Sequence, residues 1–196
     1  MWVCLEKSCI YKDLQGRTPR MDLDSVSEAK CLIIKDIMIY IAHRGNTEGP
    51  KPEEENTPPY IQQAIDDGYD VEVDVWGSGM QLFLGHDEGT FEVPFSFLSD
   101  RMRYLWVHCK NAQALHLMRT YAPEIRYFWH QTDDYTLTSW HDIWCYPGKD
   151  PVGKHSIIVM PEMVIPFLDG GTPLEHLLSS DAGGVCSDYV KFLRYK

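Results

Sequence analysis

The sequence predicts an α/β architecture, specifically a compact (β/α) barrel, and three observations predict it. Apolar, β-branched runs alternate with amphipathic stretches along most of the chain, which is the pattern of parallel βα units. No internal repeat or low-complexity run points to another design. Polar residues gather where the predicted strands end: His43 with Arg44, Asp74, His108 with Lys110, His130, Glu162 and Asp188. In parallel α/β proteins that edge of the sheet carries the active site.

The elements follow in order. Residues 1–32 have mixed charge and little periodicity, so they read as an extension with a short helix from Ser25 to Leu32; residues 33–196 form the barrel domain. Residues 33–42 (IIKDIMIYIA) are the first buried strand, and 46–56, rich in Gly, Pro and Glu, are a surface loop. Thr57 before Pro58 predicts a helix start, Tyr60, Ile61, Ala64 and Ile65 share one face, and Gly68 stops the helix. Asp70–Trp76 is a strand, Gly77-Ser78-Gly79 a turn, Gln81–Leu84 a short strand. Tyr104–Cys109 is a strand, and Asn111 caps a helix that reaches Tyr121. Ile125–Trp129, Ile143–Tyr146, Ser156–Met160 and Gly184–Tyr189 read as further strands. Thr132–Ser139 is a turn or short helix, and Pro173–Ser180 a helix.

Charge and cysteine usage narrow the function. With 29 acidic against 18 basic residues the net charge is −11, and no basic cluster interrupts it. Such a surface repels nucleic acid and anionic membranes, so a small-molecule ligand is expected, with no stable membrane insertion. A bound cation can still invert the sign locally and admit a phosphate. The six cysteines form no CxxC pair; Cys109, Cys145 and Cys186 lie in apolar strands, where a thiol packs as a small hydrophobe. No apolar run approaches the ~18 residues of a membrane span, and no leader-like apolar core opens the chain. A cytoplasmic, reducing setting is expected, with disulfides among Cys4, Cys9 and Cys31 as the alternative.

The chemistry concentrates between Ile37 and Asp87. Glu72 and Asp74 alternate with Val71, Val73 and Val75, so both carboxylates face one side of the strand, about 7 Å apart. On an edge strand they would simply face water. On a central parallel strand, covered on both faces, two carboxylates need a cation, and oxygen ligands suit Mg²⁺ or Ca²⁺. His43 and His86 each follow a strand and flank this one. Phosphodiester cleavage needs a base for the nucleophile and an acid for the leaving alkoxide, and two imidazoles supply both. Arg44 offers a fork for phosphate oxygens.

HRG at 43–45, EENT at 54–57, VEVDV at 71–75 and GHD at 85–87 together resemble the glycerophosphodiester phosphodiesterase family, within the phospholipase-C-like phosphodiesterases. The resemblance implies a TIM barrel and metal-dependent hydrolysis of a glycerophosphodiester-like substrate. It implies that His43 and His86 are the acid/base pair, that Glu72 and Asp74 bind the divalent cation, that Arg44 contacts phosphate, and that Glu55 and Asn56 line the mouth. A neighbouring substrate hydroxyl would attack phosphorus first, giving a cyclic phosphate that water then opens. In the third strand, where the family reads E-x-K, this chain has His108-Cys109-Lys110. Lys110 is kept for substrate, while His108 takes the place of a metal-binding glutamate, unless Glu162 completes the site. GVCSD at 184–188 resembles the family's closing strand, with Asp188 at a familiar aspartate.

Length is a second departure. From Ile33 only 164 residues remain, against ~200 or more for such a barrel. One βα unit is therefore shortened or missing, and 130–155 is the compressed region. Its aromatics (Trp129, Tyr135, Trp140, Trp144, Tyr146) are expected mostly to fill core space, or, for Trp129 and Trp144, to shape the pocket. These departures also sustain an alternative: a degenerate barrel that binds a phosphorylated ligand without turnover.

Overall fold

The computed structural model describes residues 3–5, 8–10, 38–164 and 180–195. The chain divides into two compact units, Met1–Asp36 and Ile37–Lys196. In the first, β1 (Val3–Leu5) and β2 (Ser8–Ile10) pair antiparallel, with Cys4 opposite Cys9. The side chains that would decide a disulfide there lie outside the described residues. So do the helix expected at Ser25–Leu32 and nearly all of that expected at Pro173–Ser180.

The second unit runs β3 (Ile39–His43), α1 (Pro58–Asp66), β4 (Asp70–Ser78), β5 (Gln81–Leu84), β6 (Phe91–Val93), α2 (Phe95–Ser99), β7 (Leu105–Cys109) and α3 (Ala112–Tyr121). Then come β8 (Tyr127–Phe128), β9 (Tyr135–Leu137), β10 (Ile143–Cys145), β11 (Ser156–Val159), a 3₁₀ turn (Pro161–Met163), β12 (Gly184–Ser187) and α4 (Val190–Tyr195).

The strands form a ring. In space the order is β8, β7, β4, β3, β12, β11, β10, every neighbouring pair parallel, so the last strand of this unit, β12, lies beside its first, β3. β9 joins β10 antiparallel. No ladder joins β9 to β8. Instead Ser139 closes the joint: its N–H donates to the Tyr127 carbonyl at 2.8 Å and its hydroxyl accepts from the Tyr127 N–H at 3.0 Å. The result is a small α/β barrel. Among the described residues, helices follow β3, β7 and β12, whereas the passages from β8 to β10 and from β10 to β11 have none. The compression expected at 130–155 is located there. Thr132–Ser139, expected as a turn or short helix, is strand β9 and a turn, because a chain crossing that gap is best satisfied by pairing with β10.

Alternation along each strand sorts side chains onto two faces. The outer face packs Tyr40, Val71, Val73, Val75, Leu105 and Val107 against α1, α3 and α4 through residues such as Ile61, Leu117, Met118 and Leu193. The inner face is filled by Ile41, Trp106, Phe128, Trp144, Ile157, Val159 and Cys186. Each such large side chain stabilises the barrel by about 1.5–3 kcal/mol. β4 adds none of these; its inward positions are Asp70, Glu72 and Asp74. At the lower end Arg126 lies between the Trp106 and Trp140 rings, 3.7 and 4.4 Å from their centroids, and pairs with Asp142 at 3.2 Å and Asp70 at 3.7 Å.

Local signals are used unevenly. Asn111 caps α3 as its type predicts, accepting from the Ala114 N–H at 2.8 Å. It also exchanges two hydrogen bonds with the Gly77 backbone. Gly77 must be glycine for this approach, since a Cβ there would sit 2.6 Å from the Ala114 nitrogen. Thr57 precedes α1 but does not cap it; its hydroxyl donates to the Glu54 carbonyl. The closing strand ends at Ser187 rather than Tyr189, because the chain turns into α4. Of the five aromatics expected mostly as core filler, Trp144 is buried and Trp129 half-buried, but Tyr135, Trp140 and Tyr146 are exposed. Among the described residues no helix follows β8 or β10 to cover them.

Candidate active site

The site sits over the carboxyl ends of the ring strands and is built outward from β4. Glu72 and Asp74 are 2% and 1% exposed. Two bare carboxylates would not both stay ionised there, and Asp74 has acquired three cationic neighbours. Arg44 Nε lies 3.0 Å from its Oδ2, Lys110 Nζ 3.3 Å from its Oδ1, and His108 Nδ1 3.1 Å from its Oδ1. Asn56 donates to Oδ2 at 3.1 Å and accepts the Asp74 N–H at 2.9 Å. Burial alone would raise the Asp74 pKa. The His108 hydrogen bond, then Arg44 and Lys110, overcome burial and hold the carboxyl well below the usual range.

His108 is placed by register: on β7 it pairs with Asp74 of β4, so both side chains leave the sheet on one side. Its ring stacks on Phe128, centroids 5.1 Å apart and 3° from parallel. Its Nε2 donates to the His130 carbonyl at 2.8 Å, because a carbonyl can only accept. That bond turns Nδ1 toward the carboxylates, also 3.6 Å from Glu72. Burial pulls the His108 pKa down, but the hydrogen bonds to Asp74 and then Glu72 carry it up to about 9. Donor atoms of Glu72, Asp74 and His108 all lie within 4.8 Å of one another. Two carboxylate oxygens and an imidazole nitrogen whose other nitrogen is already committed fit a divalent cation.

His43 ends β3 and meets Asp188, just past β12, because the two strands are neighbours. Its Nδ1 donates to Asp188 Oδ1 at 2.8 Å, leaving Nε2 inside the site, 4.0 Å from Glu72. Burial lowers the His43 pKa; the Asp188 hydrogen bond and the Glu72 charge outweigh it, and the net shift is upward. Asn46 donates to the same Asp188 oxygen at 2.9 Å and to Glu55 at 2.8 Å, and Glu55 accepts from Arg44 at 3.0 Å. This network fastens the acidic loop over the ring. It requires a sharp turn: Arg44 and Gly45 have φ of 52° and 94°, and a Cβ at 45 would meet the Tyr60 ring at 2.7 Å.

Other expected residues stand further out. His86, after β5, is 43% exposed at its side chain and pairs with Asp87 at 2.6 Å. It lines the same cavity of about 810 Å³ as His43, Glu72, Asp74 and His108. Glu162 is not among the grouped metal donors. Its Oε1 accepts from the Ser187 hydroxyl and the Asp188 N–H at 2.9 and 2.8 Å, so it braces the end of β12. Sequence reasoning did not foresee Asn46, nor that Asp188 would be the partner of His43. The only local signal was an asparagine three residues after that histidine in a loop otherwise rich in Gly, Pro and Glu.

Comparisons with known proteins add a distant likeness. No family model matches the chain, and no curated protein matches it. Among solved structures it is similar to a glycerophosphodiester phosphodiesterase from Agrobacterium tumefaciens, at 15% identity over 81% of this chain and 100% of that one, with a TM-score of 0.48. It is similar also to a glycerophosphodiester phosphodiesterase candidate from Galdieria sulphuraria, at 13% identity over 81% and 96%, with a TM-score of 0.44.

Proposed function

We propose that this protein is a metal-dependent phosphodiesterase that hydrolyses a small glycerophosphodiester-like substrate. The observation that carries this reading is the placement of His43, held by Asp188, beside the Glu72–Asp74–His108 group at the mouth of one cavity. Asp188 fixes the imidazole with its proton on Nδ1, so Nε2 can take a proton from the attacking hydroxyl, whether of water or of the substrate itself. His86, which lines the same cavity, is the acid that protonates the leaving alkoxide. In a second step through a cyclic phosphate the two exchange roles. Arg44 and Lys110 face the cavity and neutralise phosphate oxygens. A divalent cation at Glu72, Asp74 and His108 would supply Lewis-acid stabilisation of the phosphoryl oxygens. The carboxylate pair suits Mg²⁺ or Ca²⁺; the imidazole adds a softer donor.

One observation favours the second reading, a barrel that binds a phosphorylated ligand without turnover: His86 is half out in solvent and paired with its own neighbour. A single experiment separates the two. Release of alcohol from glycerophosphocholine, or of nitrophenol from bis(p-nitrophenyl) phosphate, is measured with added Mg²⁺ for wild type, His43→Ala and His86→Ala. Metal-dependent turnover lost in both variants supports the enzyme. Equal rates in all three proteins would end the mechanism. Among the described residues no helix is long and apolar enough to cross a membrane, and the net charge of −11 disfavours nucleic acid as a partner. Cys109, Cys145 and Cys186 are buried free thiols, in keeping with the reducing, cytoplasmic setting we infer.

A further inference from the structure

Strand order divides the cavity into two sectors. From β7 through β4 and β3 to β12 the ring lines it mainly with charged and polar groups, among them Lys110, Glu72, His43 and Asp188, with Cys109, Pro50 and Pro52 as the exceptions. From β11 through β10 to β8 the lining is mainly apolar: Val159, Met160 and Met163, then Trp144, Tyr146 and Pro147, then Trp129, with His130 and Gln131 as its polar members. The second sector comes from neighbouring parts of the ring: β11 pairs with β10, and the β9 side of β10 meets β8 through Ser139. It is also open: Met163 is 69% and Tyr146 38% exposed.

We propose that the apolar sector is a binding subsite for one hydrocarbon chain, so that the substrate is a phosphodiester in which one alcohol carries such a chain. The inference rests on the phosphodiesterase reading above, since the phosphate must sit in the polar sector to send the chain into the other. Size supports it. A cavity of about 810 Å³ lies in the upper part of the range that takes whole drug-sized ligands, and a glycerophosphodiester headgroup fills only the polar part. Composition supports it as well. Two methionines beside aromatic rings make a wall that adapts to a flexible chain rather than one that hydrogen-bonds a sugar or a base. The charge of −11 repels an anionic bilayer surface, which favours a single-chain molecule taken from solution over a two-chain lipid taken from a membrane.

The test uses the full chain with Mg²⁺ and the series methyl-, butyl-, octyl- and dodecylphosphocholine, each below its critical micelle concentration, with binding followed by calorimetry. These are phosphodiesters that differ only in the apolar alcohol. The expected result is a Kd that tightens by about three- to fourfold per added methylene until the wall is covered. Met163→Glu, a change at an exposed position outside the polar cluster, should weaken dodecylphosphocholine by about tenfold and leave methylphosphocholine within twofold. A Kd that does not depend on chain length would overturn the subsite while leaving the phosphodiesterase reading intact; the aromatic rings would then serve the quaternary ammonium. An unaltered chain-length slope in Met163→Glu would also overturn it. If no member binds, methyl included, and calorimetry detects no Mg²⁺ binding, the underlying reading fails with it.

Discussion

The two sectors of the cavity are built by opposite means. In the polar sector the buried carboxylates are held by several partners: Asp74 alone answers to Arg44, Lys110, His108 and Asn56. In the apolar sector the walls are rings and thioethers that touch by packing, as where Phe128 meets Trp144 at 4.6 Å between centroids. Buried charge tolerates no missing partner, whereas apolar surface tolerates rearrangement at small cost. The first sector should therefore fail abruptly under mutation and the second gradually.

The sharpest break in that contrast is expected in turnover. His43→Ala should lower kcat on bis(p-nitrophenyl) phosphate by about 10²–10⁴-fold. Asp188→Asn should follow with a smaller loss, because it misdirects the ring without removing it. A His43→Ala rate near wild type would place the chemistry elsewhere.

Next comes stability. Asp74→Ala leaves three cations facing one another in a buried pocket and should cost about 3–5 kcal/mol, read from the urea midpoint. Tyr146→Ala, in the apolar sector and exposed, should stay within about 0.5 kcal/mol. If the two variants unfold at the same urea concentration, the sectors do not differ as described.

The third test is pH. With no metal bound, His108 keeps its proton up to about 9, above its ordinary 6.5, because Asp74 and Glu72 outweigh burial. Its contribution to folding is thus complete below pH 6.5 and is lost as pH rises through about 9. Metal binding runs the other way, because the cation must displace that proton. Affinity should climb with pH by up to about tenfold per unit and level off near 9. Mg²⁺ titrations between pH 6 and 9 in wild type and His108→Gln check this. A flat wild-type response would remove His108 from the ligand set.

The smallest effect sharpens the lower limit. Leu137→Thr on β9 lies outside the cavity lining and is 63% exposed. It should change neither kcat nor stability beyond about 0.5 kcal/mol.

What could be read beforehand follows from the range of the forces involved. Alternation in Asp70–Trp76 is a local signal, and it placed Glu72 and Asp74 on one inner face of a central strand, as found. The Asn111 cap is likewise local and correct. The pairing of His43 with Asp188 spans 145 residues and exists only because the ring closes β12 onto β3. No window of sequence contains it. Glu162 illustrates the converse. Its position after a strand is a local signal, whereas the two hydrogen bonds its Oε1 accepts from Ser187 and Asp188 span some 25 residues and are not. Thr132–Ser139 was misjudged for a third reason: its strand character comes from an unpaired edge of β10, which propensity does not report.

Arg126 has a bearing on how the ring comes apart. It sits just before β8 and grips Asp70 at the foot of β4, Asp142 at the foot of β10, and the indole of Trp140 between them. It thus spans the one joint of the described ring that no strand ladder covers. Amide exchange should respect this arrangement: β9 and β10 should open together as a single unit, ahead of β3, β4 and β12. A substitution at Arg126 would then accelerate exchange on one side of the barrel while leaving the other at its original rate, which makes a side chain far from the chemistry the latch on the sector that shapes the apolar pocket.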